Sequence, residues 1–547
     1  MEDKKASVKT IIQLVVLMLL SFFTAVVVNI DTEGNFGLRT YAEIRVTFFE
    51  RTLRYFVIFV LITAVLKMLR RLDLKGIRAF DIRYDKKSVI IDSVFIFICS
   101  IPYLIVFYPG VCNWDTINQL TDFFTGKDPM SYSWIPGQET VSVFLNDHHP
   151  VFDTLIYALF IGIGKGIGSL NAGMFIFSVL QVFIMSFSLG FMISYMAELE
   201  IPLIYRQLSL LFVALMPSLC LFNVTMIKDS TYSVFFILYL ILYINIVRKG
   251  FDRNILVLFT TVSVLLCLTK KTGIYLVLIC NLILLLSKAV KGKRLKLLIS
   301  SAVPFFIIFI LMGKIIFPLA DIYPGGKQEM LSTFIQQTSR VVVDHREELT
   351  DEELSVIDRI VPEEDIEDNY RYDSSDGVKN TYRFDATSDD ISDFMKLWIK
   401  LLVRYPGSCI KATVGNCAGF FAPVRTVQVY TGIPSQDMVE ITNPSELESP
   451  RLWVKDTYNK ICSSKFPGLL YTVIYSWWIP LLSLSVCINR RKSQNILCLV
   501  PVFVSILVLV ASPYSGARYA LSLIYTAPVI LSIPYIKDMT EKTDPEM

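Results

Sequence analysis

Asp115 lies in the segment YPGVCNWDTINQL, seven residues beyond the end of a long apolar run. An ionisable side chain at the edge of a membrane is costly and is therefore a candidate for a functional role. Such a carboxylate could act as a general base toward an acceptor hydroxyl. The alternative is that Asp115 caps the helix that begins TINQLTDFF, and the two roles are compatible.

The segment NDHHPVFDTL gathers Asp147, His148 and His149 in front of Pro150, which is expected at the first position of a helix. Imidazole and carboxylate groups could bind a metal ion or orient a phosphate or a hydroxyl. Because adjacent side chains diverge, at most one histidine and Asp147 are expected to face the same ligand. A structural cap, a substrate contact and a metal site all remain open.

Two further pairs of charged residues lie at the ends of apolar runs. Lys228 and Asp229 occupy the tip of the short turn NVTMIKDSTYS, either as a structural ion pair or facing a lipid headgroup and a sugar hydroxyl. Lys270 and Lys271 lie at the end of another apolar run. The predicted topology places this end on the external side of the membrane, where positive charge is unusual. They indicate either a phosphate partner or lysines that snorkel toward headgroups.

The C-terminal segment SPYSGARYALSLIY places Arg518 and Tyr519 at the start of the last apolar run. Arginine stays charged and binds phosphate through two parallel hydrogen bonds, so Arg518 is a better pyrophosphate candidate than any of the lysines. In FIQQTSR, the side chains of Gln336, Gln337 and Arg340 fall on neighbouring helical positions. That face could also meet a polar headgroup.

The composition excludes several classes of protein. Of the residues, 53% are hydrophobic and 18% are charged, against about 25% charged in soluble domains, which excludes an ordinary cytosolic enzyme. Lys plus Arg number 52 and Asp plus Glu number 49, a balance that excludes a nucleic-acid-binding protein. The ten cysteines form no CxxC motif or disulfide framework, and a Cys409–Cys417 bridge is a minority alternative.

The sequence predicts an all-α, multi-pass membrane protein with twelve spans, because a span needs about 20 apolar residues. The predicted spans are 11–30, 54–70, 88–108, 172–196, 207–227, 230–248, 254–270, 273–288, 297–317, 467–488, 496–512 and 518–536. Basic clusters in the short loops place both termini in the cytoplasm. This orientation holds only if the segment 151–168, which contains four glycines and Lys165, lies at the membrane interface or re-enters the membrane. If it crossed the membrane, the loops from 170 to 320 would lie on the opposite side.

Three regions follow from this topology. They are an N-terminal membrane module (1–317) with a long external loop (109–171), a second external region that is acidic (318–466), and C-terminal membrane helices (467–547). Residues 320–395 hold twenty Asp or Glu and seven Lys or Arg. A helix with a capping box is predicted at 349–361, and an amphipathic helix that breaks at Tyr405 at 395–423.

The same topology sends candidate residues from six places in the chain to one membrane face. They are Asp115, His148, Lys228, Lys270, Arg340 and Arg518. We therefore expect a cavity at the outer leaflet in which carboxylates and cations meet. Such a cavity suits an anionic substrate carried by a lipid.

These elements resemble the GT-C superfamily of polytopic glycosyltransferases, and in particular a bacterial branch of it. The matching elements are Asp115, His149-Pro150, Asp229 within IKDS, the loop 318–466 and Arg518-Tyr519 within GARYALSL. The likeness to the bacterial branch comes from YPG followed by WDT, from QQTSR, from YDSSDGVK, and from RYPG with FFAP. The resemblance covers residues 88–536.

The resemblance implies transfer of a sugar from a polyprenyl-phosphate or polyprenyl-diphosphate donor to a glycan, lipid or protein acceptor at the external face of the cell membrane. Asp115 would deprotonate the acceptor, and Arg518, Arg340 or the lysines would stabilise the departing phosphate. The chain has no Asp-x-Asp or Glu-x-Asp next to Asp115 and has HHP in place of HPP. A divalent metal therefore stays open, and no other cofactor is expected. The alternatives are a transporter or flippase of lipid-linked saccharides, and a scaffold that docks partners on its acidic region.

Overall fold

The computed structural model describes residues 2–33, 41–71, 76–125, 145–422, 427–434, 440–464, 468, 471–490 and 493–536. Residues 126–144 of the predicted external loop lie outside them. The described residues form helices and four strands of two residues each. The expectation of a helical protein is therefore confirmed.

The N-terminal half alternates long apolar helices with short connecting elements. In chain order it contains α1 (Glu2–Glu33), α2 (Tyr41–Arg71), α3 (Lys86–Val106), β1 (Val111–Cys112), α4 (Trp114–Thr125), β2 (Leu145–Asn146), α5 (Val151–Gly166), α6 (Leu170–Glu198), α7 (Leu203–Leu215), α8 (Pro217–Asn223), β3 (Thr225–Met226), α9 (Lys228–Lys249), α10 (Arg253–Thr269), α11 (Gly273–Leu286), α12 (Arg294–Phe305), α13 (Phe317–Leu319) and β4 (Ile322–Tyr323). A π-helical stretch, Phe306–Ile316, joins α12 to α13.

The C-terminal half begins with a helical subdomain and returns to apolar helices. It contains α14 (Gln328–His345), α15 (Asp351–Asp358), α16 (Ile366–Asn369), α17 (Asp376–Lys379), α18 (Ser388–Arg404), α19 (Pro406–Cys417), α20 (Glu448–Cys462), α21 (Trp478–Arg490), α22 (Ser493–Cys498), α23 (Val500–Val510) and α24 (Leu521–Ser532). We call α14 to α19 the acidic subdomain.

Within the described residues, six helices are long and apolar enough to cross a membrane, so the chain is a membrane protein. They are Thr10–Asn29, Lys86–Val106, Leu170–Glu198, Lys228–Lys249, Arg294–Leu319 and Ala517–Tyr535. The bent pair α7 and α8 would make a seventh. The expected twelve spans are not confirmed.

Helix length explains this difference for three of the predicted spans. The predicted spans 254–270, 273–288 and 496–512 are helical, but α11 has 14 residues and α23 has 11. At 1.5 Å per residue, α11 is about 21 Å long, shorter than the roughly 30 Å hydrocarbon core. The predicted span 207–227 breaks before Pro217 with a bend of 58°, because proline lacks the N–H that an unbroken helix needs.

The glycine-rich segment 151–168 forms α5, which is not among the six candidate spans. It packs against the first half of α6 where Gly164 meets Gly173. A Cβ at Gly164 would lie 2.8 Å from the Cα of Gly173. The glycines therefore permit the two helix backbones to approach closely.

The acidic subdomain has a hydrophobic core of its own, built around Ile335, Ile357, Phe394 and Leu401. The predicted capping box is confirmed, because the Thr350 side chain accepts from the backbone N–H of Glu353 and the Glu353 carboxylate accepts from that of Thr350. The predicted break at Tyr405 separates α18 from α19. Cys409 and Cys417 are both buried free thiols.

Candidate functional site

Two very short parallel strands bring the ends of distant segments together. β1 pairs with β3 in the register Val111 with Thr225, and each strand leads directly into a helix, α4 or α9. The Thr116 hydroxyl donates to the backbone carbonyl of Met226 at 2.6 Å, which ties the two helix starts together. Asp115 and Lys228 therefore lie side by side although 113 residues separate them in the chain.

Asp115 forms ion pairs with two cations. Its Oδ2 lies 2.8 Å from Nη1 of Arg518 and 3.4 Å from Nζ of Lys228. Burial alone would raise the pKa of the Asp115 carboxyl, but the charges of Lys228 and Arg518 outweigh it and hold this pKa below its usual range. Asp115 is therefore a carboxylate at neutral pH.

Arg518 is held by aromatic rings as well as by charge. It is 8% exposed, and its Nη2 donates to the Tyr519 hydroxyl at 3.2 Å. Its guanidinium carbon lies 5.0 Å from the centre of the Tyr519 ring and 6.0 Å from that of Tyr514. Cation–π contacts of this kind stabilise a desolvated guanidinium.

His149 reaches the same site through Lys228, whose ammonium lies 3.1 Å from Nδ1 of the imidazole. Burial, reinforced by Lys228, keeps the pKa of His149 well below its usual value, so the ring is neutral. An ammonium only donates, so Nδ1 accepts and the ring proton is on Nε2. Burial and the charges of Lys228 and Lys271 lower the pKa of the neighbouring His148 to about 3.

Asp229 and Lys270 add a second, more deeply buried ion pair. Their charged atoms are 2.6 Å apart, and the side chains are 1% and 13% exposed. The Lys270 ammonium also lies 5.0 Å from the centre of the Tyr519 ring. Tyr519 therefore contacts both cations, Lys270 and Arg518. We call Asp115, His149, Lys228, Asp229, Lys270, Arg518 and Tyr519 the Asp115 cluster.

Asp147 and Lys271 lie at the exposed edge of this site. Their charged atoms are 2.9 Å apart, and the Lys271 side chain is 48% exposed. A second parallel pair, β2 with β4, positions the turn that holds Asp147. The close approach of Gly325 to the Asp147 carbonyl fixes this turn against the segment after β4.

Three predicted site residues make their contacts inside the acidic subdomain. Arg340 pairs with Asp344 at 2.9 Å, and the Gln336 amide donates to the carbonyl of Arg371 at 2.7 Å. The Gln337 amide donates to the Thr413 hydroxyl at 2.8 Å and accepts from Trp398 at 2.7 Å. These contacts hold the subdomain together, and the structure does not bring the three residues to the Asp115 cluster.

The acidic subdomain nevertheless borders the cluster through the segment YDSSDGVK. Ser374 pairs with Tyr514, and the backbone N–H of Ser375 donates to the carbonyl of Pro513 at 2.8 Å. The Asn416 amide donates to the carbonyl of Ser512 at 2.6 Å. The loop that carries Arg518 is therefore fastened to the acidic subdomain.

Asp153 is a buried carboxyl that the sequence analysis did not single out. It is the third residue of α5, is 0% exposed, and neither of its oxygens has a hydrogen-bond partner among the described residues. Burial raises its pKa well above the usual value, against a smaller opposing effect of Lys228. Its position four residues after His149 in NDHHPVFDTL was the available signal.

A small polar cavity adjoins His149. Its volume is about 10 Å³, enough for about one water molecule. It is lined by Asn118, Gln119, Asp122, Asn146, His148, His149 and Thr154. Across the part of the chain that the structure describes, no three His, Cys, Asp or Glu side chains come together as a set of metal ligands.

Comparison with known proteins gives one match. A profile of DUF6020, described as a family of unknown function, matches residues 2–544. No curated protein and no solved structure matches the chain significantly.

Proposed function

Because the chain belongs to the DUF6020 family over residues 2–544, whose description names no activity, we propose a function from the chemistry of the site. The proposed function is that of a membrane glycosyltransferase similar to the GT-C superfamily. It transfers a sugar from a polyprenyl-phosphate-type lipid donor to an acceptor at the external face of the cytoplasmic membrane. Both termini are then in the cytoplasm.

The observation that carries this proposal is the contact between Asp115 and Arg518. They are 403 residues apart in the chain, yet their side chains meet at 2.8 Å. Lys228 joins them from a third segment. A carboxylate beside two cations in a buried site supplies both a base for an alcohol and a counter-charge for a phosphate leaving group.

In the proposed reaction, the Asp115 carboxylate accepts the proton of the acceptor hydroxyl. The acceptor oxygen then attacks the anomeric carbon, and the bond from that carbon to the phosphate oxygen breaks with inversion. Arg518 and Lys228 stabilise the negative charge that develops on the departing phosphate. Placing these groups in advance lowers the barrier because little reorganisation is needed at the moment of reaction.

A transporter or flippase of lipid-linked saccharides is the second candidate, and one observation favours it. Asp92 lies within the candidate span α3, is 1% exposed, and accepts a hydrogen bond from Ser194 of α6 at 3.1 Å. A buried carboxyl within a span is typical of a substrate or proton pathway. This candidate predicts that Asp92→Asn abolishes function, whereas the transferase proposal predicts a minor effect.

The test combines the identity of the bound lipid with the effect of Asp115. Mass spectrometry of lipid that copurifies with the full-length protein should find a polyprenyl phosphate bearing a sugar. With that donor, Asp115→Asn should lower transfer by at least about 100-fold, the usual contribution of a general base. Asp358→Asn is the control, because Asp358 pairs with Arg383 on the subdomain surface. Transfer by Asp115→Asn at the rate of the wild type would remove Asp115 from the reaction.

A further inference from the structure

Two cations converge on a single oxygen atom at the centre of the Asp115 cluster. Arg518 and Lys228 both make their ion pairs with Oδ2 of Asp115. Their side chains are 9% and 16% exposed, so both have given up most of their contact with water. This is the arrangement in which two basic side chains hold one oxygen of a phosphate group.

Arg518 also retains an unused hydrogen-bond donor. Its Nε–H is buried and has no acceptor among the described residues, while its Nη atoms donate to Asp115 and Tyr519. A buried donor without an acceptor is destabilising. The guanidinium is therefore only partly satisfied by the carboxylate and can accommodate a ligand with more than one acceptor oxygen.

The charges of the cluster are unequal. Lys228, Lys270 and Arg518 face the carboxylates of Asp115 and Asp229, and His149 adds no charge because burial keeps its pKa well below the usual value. Three positive charges against two negative ones leave an excess of one positive charge in a poorly solvated region. Such an excess favours the binding of an anion.

We infer that Asp115 occupies the place of a substrate phosphate, and that the phosphate of the incoming substrate displaces the Asp115 carboxylate from Arg518 and Lys228. The displacement completes the phosphate site, because a phosphate offers several acceptor oxygens where the carboxylate now offers one. It also frees Asp115 from its two cations. This second consequence rests on the proposed function, since it turns the carboxylate into a stronger base once the donor is bound.

The exchange makes an unusual prediction about affinity. The Asp115 carboxylate competes with the phosphate for the same two cations, so removing its charge strengthens phosphate binding while it abolishes the base. A substitution that removes activity would therefore tighten the binding of one ligand. If the phosphate bound away from Arg518 and Lys228, the substitution would leave its affinity unchanged.

The experiment measures the binding of two probes, inorganic phosphate and a polyprenyl phosphate in mixed micelles, to the purified full-length protein. Asp115→Asn should bind polyprenyl phosphate at least 10-fold more tightly than the wild type, and Arg518→Gln should lose that binding. Tighter binding of both probes would identify the phosphate group as the ligand. Tighter binding of the polyprenyl phosphate alone would identify a lipid headgroup, and tighter binding of inorganic phosphate alone a free phosphate. Equal or weaker binding of both by Asp115→Asn overturns the inference.

Two further measurements keep the test decisive. If Asp115→Asn does not accumulate as folded protein, Asp115→Ser removes the same charge and carries the same expectation. In titration calorimetry in buffers of different ionisation enthalpy, the wild type should take up more protons on phosphate binding than Asp115→Asn does. A buried carboxylate released from its cations takes up protons more readily, whereas proton release by the phosphate itself is common to both proteins. Equal proton exchange by the two proteins would overturn the displacement.

The outcomes separate this inference from the proposed function. Tighter phosphate binding by Asp115→Asn, without transfer from any polyprenyl donor by the wild type, would support the anion site and reject the transferase. Loss of transfer by Asp115→Asn without tighter binding would support the base and reject the displacement. The control variant Asp358→Asn should bind both probes as the wild type does.

Discussion

The buried carboxyl of Asp153 makes a prediction about pH that can be worked out from the structure. The side chain is 0% exposed, and neither oxygen has a hydrogen-bond partner among the described residues. Burial raises its pKa well above the usual value. Asp153→Asn replaces the neutral acid by an amide of nearly the same shape, so the fold should tolerate it.

The direction of the pH effect on stability follows from which state, folded or unfolded, holds the proton of Asp153. Above pH 3.8, the reference pKa of aspartate, the unfolded chain releases the proton while the folded protein keeps it. The folded state binds more protons, so this group lowers stability as pH rises, by about 1.4 kcal/mol per pH unit until the folded pKa is reached. Over the three units from pH 4 to pH 7 the ceiling is about 4 kcal/mol. Asp153→Asn has no such loss.

The assay is reversible unfolding in mixed micelles from pH 4 to pH 7, comparing Asp153→Asn with the wild type. The two should agree within about 1 kcal/mol at pH 4, where both side chains are neutral, a difference typical of a changed buried polar group. The variant should become progressively more stable than the wild type toward pH 7. Asp358→Asn, at an exposed ion pair, should run parallel to the wild type.

Two results would refute this reasoning. A difference that does not change with pH would show that Asp153 has the same protonation in the folded and unfolded states. A variant that is less stable at pH 7 than at pH 4, relative to the wild type, would show that Asp153 is ionised and paired with a cation such as Lys228.

Three further predictions concern the supports of the site. Lys270→Met should lower the free energy of unfolding by about 3 to 5 kcal/mol, because it leaves the buried carboxylate of Asp229 unpaired; adding Asp229→Asn should recover most of this loss in equilibrium unfolding. Gly325→Ala should cost about 1 to 3 kcal/mol and slow transfer, because the new Cβ would lie 2.8 Å from the carbonyl of Asp147; wild-type stability would show that the turn adapts freely. Trp398→Phe should remove a 2.7 Å hydrogen bond to α14 and lower the free energy of unfolding by about 1 kcal/mol. This loss should appear as faster hydrogen exchange in the acidic subdomain, with little change in the exchange of the backbone around Lys228.

The sequence predicted much of the Asp115 cluster but not how its members pair. Hydropathy and the positions of basic loops were enough to expect Asp115, Lys228 and Arg518 on one face. Their contact depends on the register of β1 with β3, which are two residues long. Strands of that length carry no alternating pattern that a single sequence could reveal.

The missed and misplaced residues have physical explanations. The glycines of the segment after Pro150 indicate how its helix packs. They carry no information about the burial of the Asp153 carboxyl within it. The helical face shared by Gln336 and Arg340 was predicted correctly in spacing, and both lie on α14. Spacing defines a helix face but not what covers it, and here Tyr370 and Arg371 of the acidic subdomain do so.

For the membrane helices, hydropathy predicted where the apolar helices lie but not every break within them. Apolar runs identified the long apolar helices, since hydropathy responds to composition. It did not show where a run is interrupted, as in the predicted span 207–227, which breaks before Pro217 into α7 and α8 with a bend of 58°. A break of this kind divides one apolar run into two shorter helices.

The separation of 403 residues between Asp115 and Arg518 has a consequence for biogenesis. Ribosomes deliver the N-terminal part of a chain first, so the early helices enter the bilayer while the C-terminal arginine is still unmade. During that interval the carboxylate has at most its lysine neighbour as a counter-ion. A chain that stops before Arg518 would keep an incompletely neutralised acid, a defect that quality-control proteases can recognise.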